Sequence, residues 1–222
     1  MAISETARQN HDELFPDHVS TMKITDPELI EVFDNFAFDE VLRHSGLDTR
    51  TRLMVQLAAL IGCQALSEYR IMLGAALTAG VTPVEAREIV YQSVPYAGMG
   101  KAVDFIHATN DVLSERGVRL PLDGQATTTP DTRAGRGKAV RELITFAMLT
   151  ALGGCDPQVR SHVAANLNVG NDRQTLIGVI TVLLPFIGYP RTLNALAAIN
   201  EVAPASKPGL QAGAHGDLAQ FR

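Results

Sequence analysis

Two side chains able to take part in bond-making lie seven positions apart in the second half of the chain, Cys155 and His162. A histidine titrates near neutrality and can give or take a proton. Cys155 immediately precedes Asp156-Pro157, a helix start, where the partial positive charge of a helix N-terminus favours a thiolate and the neighbouring Asp156 opposes it. Gln158 lies one helical turn before His162 on the same face, with Arg160 between them. Upstream, Arg141 and Glu142 open an apolar helix. Arginine can hold a carboxylate through two parallel N–H bonds. The chemistry this set suggests is proton transfer at His162 beside the Cys155 thiol, with Arg160, Arg141, Gln158 and Glu142 as substrate contacts. Plainer roles compete: a helix-face histidine bonded to backbone, a small buried thiol, and ordinary ion pairs.

The elements that position these residues come from a duplication. Adding 90 to the numbering of Thr51–Asn110 lays it on Arg141–Asn200 without a gap, matching Leu53 to Leu143, Arg70 to Arg160, Gly80 to Gly170, Pro95 to Pro185 and Gly98 to Gly188. His162 falls on Met72, so a position polar in one copy is apolar in the other. That asymmetry favours a specialised second copy. Cys63 falls on Gly153 and reads as core, and His107 falls on Ala197 and reads as packing or surface.

Within each copy the pattern is helical throughout. Asp26-Pro27 starts a helix, Asp as acceptor for free N–H groups and Pro at the first helical position. Asp48 caps a helix apolar on most faces, and Thr82-Pro83-Val84-Glu85 is a capping box. Gly80 and Gly170 close helices, and Asp172 caps the next. The expected division is an N-terminal helical extension (1–47), a first repeat (48–116), a linker (117–137), a second repeat (138–203) and a C-terminal tail (204–222). The extension leans on the body or on a neighbouring subunit. The fold class is all-α.

Composition narrows the functions. The 222 residues are 46% hydrophobic and 19% charged, with net charge −5 and no basic stripe, which argues against nucleic acid. No uncharged apolar run approaches ~20 residues, so no membrane span is expected. Two cysteines make no disulfide framework, and the polar, acidic N-terminus does not resemble a signal peptide; a cytoplasmic protein is expected. There is no GxSxG, no P-loop, no GxGxxG after a strand, no HExxH and no zinc-spaced cluster, so no metal or cofactor is expected.

The run Q-V-R-S-H-V-A-A-N-L-N-V-G, followed by P-F-I-G-Y-P-R-T-L-N-A-L, resembles the carboxymuconolactone decarboxylase family, whose broad pattern is E-L-R-x-H, then A-L-N-x-G, then Y-x-G-x-P. The first copy carries the same signature in E-Y-R-I-M, A-A-L-T-A-G and Y-A-G-M-G. The resemblance implies an alkyl hydroperoxidase D-like helical bundle of two tandem repeats, assembled as a homo-oligomer, trimer or hexamer. Its decarboxylase branch turns carboxymuconolactone into an enol-lactone without a cofactor. His162 matches the family histidine and Arg160 the arginine two before it, while Gln158 stands in place of the glutamate. The peroxidase branch has C-x-x-C-x-x-x-H with an upstream glutamate. Cys155 and His162 match it, Gln158 replaces the second cysteine, and Leu143 stands where the glutamate would be, with Glu142 one residue away.

Three functions stay open at this stage. The first is a cofactor-independent lyase or isomerase acting on a small carboxylated lactone or ring acid, with His162 moving the proton. The second is a single-cysteine thiol peroxidase or redox protein working through Cys155. The third is a non-catalytic oligomer that binds a small ligand. Self-association is expected in each case, because the apolar helices 53–61 and 143–152 carry more apolar surface than a lone bundle needs.

Overall fold

The computed structural model describes residues 2–16, 18, 20–122 and 137–205. Local chemistry sets the helix boundaries. Ser4 Oγ accepts from Ala7 N–H at the start of α1 (Glu5–Leu14). A short α2 (Met22–Thr25) leads to α3 (Pro27–Asn35), a π-helical turn (Phe36–Glu40) and α4 (Val41–Ser45), which Gly46 ends in the left-handed conformation. Asp26 stands at the N-terminus of α3 as expected but does not cap it. Its carboxylate instead accepts from the Thr25 hydroxyl at 2.6 Å.

The first repeat follows as α5 (Thr49–Gly62), α6 (Leu66–Thr78), α7 (Pro83–Ala97) and α8 (Met99–Glu115). Asp48 caps α5 through Thr51 N–H, and Thr82 and Glu85 form the expected capping box of α7. The second repeat replays this in α9 (Gly137–Leu152), α10 (Asp156–Asn168) and α11 (Arg173–Val202). Asp172 caps α11 through Thr175 N–H. Gly188 interrupts α11 at φ 74°, ψ 169°, just as Gly98 separates α7 from α8 at φ 84°, ψ 149°. No strand occurs among the described residues. Residues 123–136 of the expected linker and 206–222 of the tail lie outside the described residues.

The core sits where the two copies meet. α5 and α9, the matching apolar helices, cross so closely at Gly62 that a Cβ there would stand 2.6 Å from Met148 O. Leu53, Leu57 and Ile61 on one helix, and Phe146, Ala147 and Met148 on the other, are fully buried by this crossing and its neighbours. The surplus apolar surface expected of these helices is therefore consumed within the chain. α11 is long and apolar enough to cross a membrane by length and composition, but Gly188 breaks it and Leu176, Val179, Val182 and Leu183 are core residues.

The duplication also repeats an ion pair. Arg70 binds Asp111 at 3.0 Å, and Arg160 binds Glu201, which matches Asp111 across the copies, at 3.6 Å. The N-terminal extension folds back on the body. Phe33 meets Phe186 edge-on, and α4 lies on α11 at Gly178, where a Cβ would stand 2.1 Å from Ser45 O.

Candidate functional site

His162 projects from α10 toward the second turn of α9, where its Nδ1 meets Glu142 Oε2 at 2.9 Å. The carboxylate accepts, so Nδ1 carries the hydrogen. Nε2 has no protein partner among the described residues. The Tyr96 ring, at the end of α7 in the first repeat, stands edge-on to the imidazole with centroids 5.8 Å apart. Both side chains of the pair keep some access to solvent, 21% for His162 and 28% for Glu142.

Glu142 and Tyr96 line a cleft of about 540 Å³ between α7 and α9. Tyr91 and Pro95 give it an apolar wall, and Lys138 and Arg141 bring two cations to it against Glu88 and Glu142. Gln92 crosses from α7 to α9, donating to Thr145 Oγ1 at 2.6 Å and to Arg141 O at 2.7 Å. This volume lies within the range of small-molecule sites.

A polar network behind the pair holds α9 and α10 together. Asn166 is fully buried; its Nδ2 donates to Glu142 O at 3.1 Å and His162 O at 2.7 Å. Its Oδ1 accepts from Asn171, whose Nδ2 also donates to Ala139 O at 2.9 Å. Both asparagines escaped the reading of the sequence, although the signal that singled out His162 marks them too. Across the copies Asn166 falls on Ala76 and Asn171 on Val81, while Gln92 falls on Val182 and Thr145 on Val55.

The two symmetry-related spaces differ in what lines them. The counterpart of the α7–α9 cleft lies between α11 and α5, where Arg52 stands for Glu142 and Met72 for His162. There, α4 packs against α11 at Gly178, which matches Glu88.

The other candidates from the sequence are dispersed. Arg141 and Glu142 line the cleft. Gln158 is exposed one turn before His162, and Arg160 is held to Glu201. Cys155 faces a separate, nearly closed crevice with Thr150, Asp156, Arg191 and Asn194. Its Sγ donates to Leu149 O at 3.2 Å and does not face the N-terminal N–H groups of α10. Burial, with Asp156 second, pushes its thiol above the ordinary range, the reverse of the activation expected of a helix N-terminus. Among the described residues no group of three or more His, Cys, Asp or Glu side chains is arranged to hold a metal.

The model of the carboxymuconolactone decarboxylase family matches two segments of the chain, residues 27–111 and 131–201. The chain belongs to this family. The two segments agree with the duplicated helical architecture, the first reaching back to include α3 and α4. Among individual members of the carboxymuconolactone decarboxylase family, the chain is similar to the 4-carboxymuconolactone decarboxylase of Acinetobacter baylyi, 31% identical over 83 residues. The match covers 37% of this chain and 62% of that protein's length.

Proposed function

We propose that the protein is a cofactor-independent carboxy-lyase or isomerase of a small carboxylated lactone or ring acid, working in the cleft between α7 and α9. The observation that carries this reading is a cleft that presents Glu142, Arg141 and Lys138, with His162 held to Glu142 and edge-on to Tyr96, two residues of its lining. Arg141, aided by Lys138, holds a substrate carboxylate by charge-assisted hydrogen bonds. The ring lies against Tyr91, Pro95 and Tyr96. Breaking the bond to the departing carboxylate releases CO2 and leaves an electron pair that the conjugated lactone carbonyl takes up. A proton delivered to a ring carbon from His162 completes the exchange, and solvent restores it.

The lactone itself accommodates the electron pair, so this route calls on no metal or organic cofactor. Glu142 fixes the tautomer and orientation of the imidazole and stabilises its charged form. Its carboxylate fills the part that Gln158 cannot play. The family membership and the partial likeness to a 4-carboxymuconolactone decarboxylase support the same substrate class. The raised thiol and its separate crevice weigh against a redox role for Cys155.

The test is incubation of the protein with 4-carboxymuconolactone while ultraviolet absorbance and CO2 release are followed. Turnover that falls at least a hundredfold in His162→Ala is the expected result, in line with the usual contribution of a positioned acid or base, about 10²–10⁴-fold. No turnover by the folded protein, or turnover undiminished in that variant, overturns the proposal.

A further inference from the structure

Away from the cleft between α7 and α9, the N-terminal helices lie over the first repeat without filling the space beneath them. A cavity of about 430 Å³ remains there, bounded by Phe15 of α1, Phe33 of α3, Phe38 of the π turn and Phe186 of α11. Four of the chain's eight phenylalanines thus stand around one space. They brace each other edge-on, Phe15 against Phe38 at 6.0 Å and Phe33 against Phe186 at 6.5 Å.

Two carboxyl groups share this apolar wall, Asp34 and Glu68. Asp34 is only 7% exposed, Glu68 is partly buried, and neither has a hydrogen-bond or salt-bridge partner among the described residues. A buried carboxylate without a partner costs several kcal/mol in general, so packing alone gives no reason for Asp34 here. Burial raises the Asp34 carboxyl above the usual range, and His11, which also lines the cavity, and Lys23 oppose it through space. Glu68 has no such counter-charge; burial alone acts on it and raises its carboxyl above the usual range. Surplus negative charge inside an aromatic wall suits a cation, which ring faces attract as carboxylates do. The volume suits a small molecule with an apolar body.

The position carries a further meaning. Across the copies Glu68 matches Gln158, and Pro185 and Phe186 match Pro95 and Tyr96 of the cleft. The cavity is thus walled by Glu68 of the first repeat and Pro185 and Phe186 of the second, joined to the N-terminal extension.

We propose that this cavity is a second ligand site that takes a small organic amine, its ammonium group on Glu68 and Asp34 and its apolar body among the four phenylalanines. The test uses the full chain and three probes of one shape: 4-phenylbutylamine, 4-phenylbutanol and 4-phenylbutanoate, titrated by calorimetry and followed by ligand-observed NMR. The amine binds saturably, the alcohol at least about tenfold more weakly, as expected for a lost charge-assisted contact, and the acid not at all. Glu68→Gln lowers amine binding to the level of the alcohol, Glu68→Asp keeps the preference, and His162→Ala leaves it unchanged. Equal binding of amine and alcohol, an unaltered amine affinity in folded Glu68→Gln, or no saturable amine binding in the millimolar range overturns the proposal.

Discussion

Replacing Asn166 by alanine removes three hydrogen bonds at once, those to Glu142 O, to His162 O and from Asn171 Nδ2. The loss is bounded by what remains. The two carbonyls lie within helices and keep their ladder bonds, and the half-buried Asn171 keeps one amide bond, to Ala139 O, while its other N–H is left to solvent. Three net bonds at about 1 kcal/mol each give a destabilisation of about 3 kcal/mol, read from the urea midpoint at constant slope. Asn166→Asp is the sharper variant: although nearly isosteric, it sets a buried carboxylate against two carbonyl oxygens and loses the donor. It is expected to destabilise the protein more than alanine does. In a double-mutant cycle with Asn171→Ala, the shared bond appears as a coupling of about 1 kcal/mol. Turnover should report the same network, because it pins α9 at Glu142 to α10 at His162. At a temperature where Asn166→Ala remains folded, kcat falls about tenfold or more while KM changes little, as expected when reacting groups are slightly misplaced. An aspartate variant as stable as the wild type, or an alanine variant that loses under 1 kcal/mol with full activity, refutes the reasoning.

Further outcomes are expected at four positions. Glu142→Gln exchanges a charge-assisted hydrogen bond for a neutral one, which lowers kcat about fivefold to tenfold with KM nearly constant; 15N NMR shows His162 in the Nδ1–H tautomer in the wild type and a mixture in the variant. Gly178→Ala forces a Cβ to within 2.1 Å of Ser45 O, and the overpacking outweighs the gain in helix propensity by about 1–2 kcal/mol of stability. Gly74→Ala, whose new methyl meets only the flexible Arg116 side chain at 3.3 Å, is neutral or stabilising in the same denaturation experiment. Cys155 has a folded pKa raised by burial and Asp156, so its alkylation by iodoacetamide is slower than that of a free thiol at pH 8. Ionisation is disfavoured in the folded state, so stability is undiminished below the ordinary thiol range near 9 and falls as pH rises above it. Cys155→Ala retains turnover.

What the sequence made legible was the chemistry that acts over a few residues. Thr82 with Glu85, Asp48 and Asp172 cap helices where their local patterns said they would, and Gly80 and Gly170 close them. The duplication was legible because matched positions serve matched roles, down to Arg70–Asp111 and Arg160–Glu201. The candidate site was half legible. His162 stood out against Met72, but its partner Glu142 lies twenty residues away, and which way that carboxylate points depends on how α9 crosses α10. The contact of Tyr96 with His162 does not follow from its own helix. The direction of Cys155 was not legible for a similar reason: its place before α10 put a helix N-terminus and Asp156 in opposition, and tertiary packing turns its Sγ to Leu149 O. The two apolar helices looked like an oligomer surface because the partner that covers each is the other.

The crossing of α5 with α9 has a consequence for how the chain reaches this state. Gly62 meets Met148, so the central helix of the first repeat finds its main partner only after most of the polypeptide has been made. A first repeat emerging from the ribosome holds α5 without the helix it packs against most closely. The duplicated halves are therefore not expected to fold in sequence as they are synthesised, the usual course for tandem domains. They form one cooperative body that closes late, and a fragment ending before α9 is expected to aggregate rather than to fold.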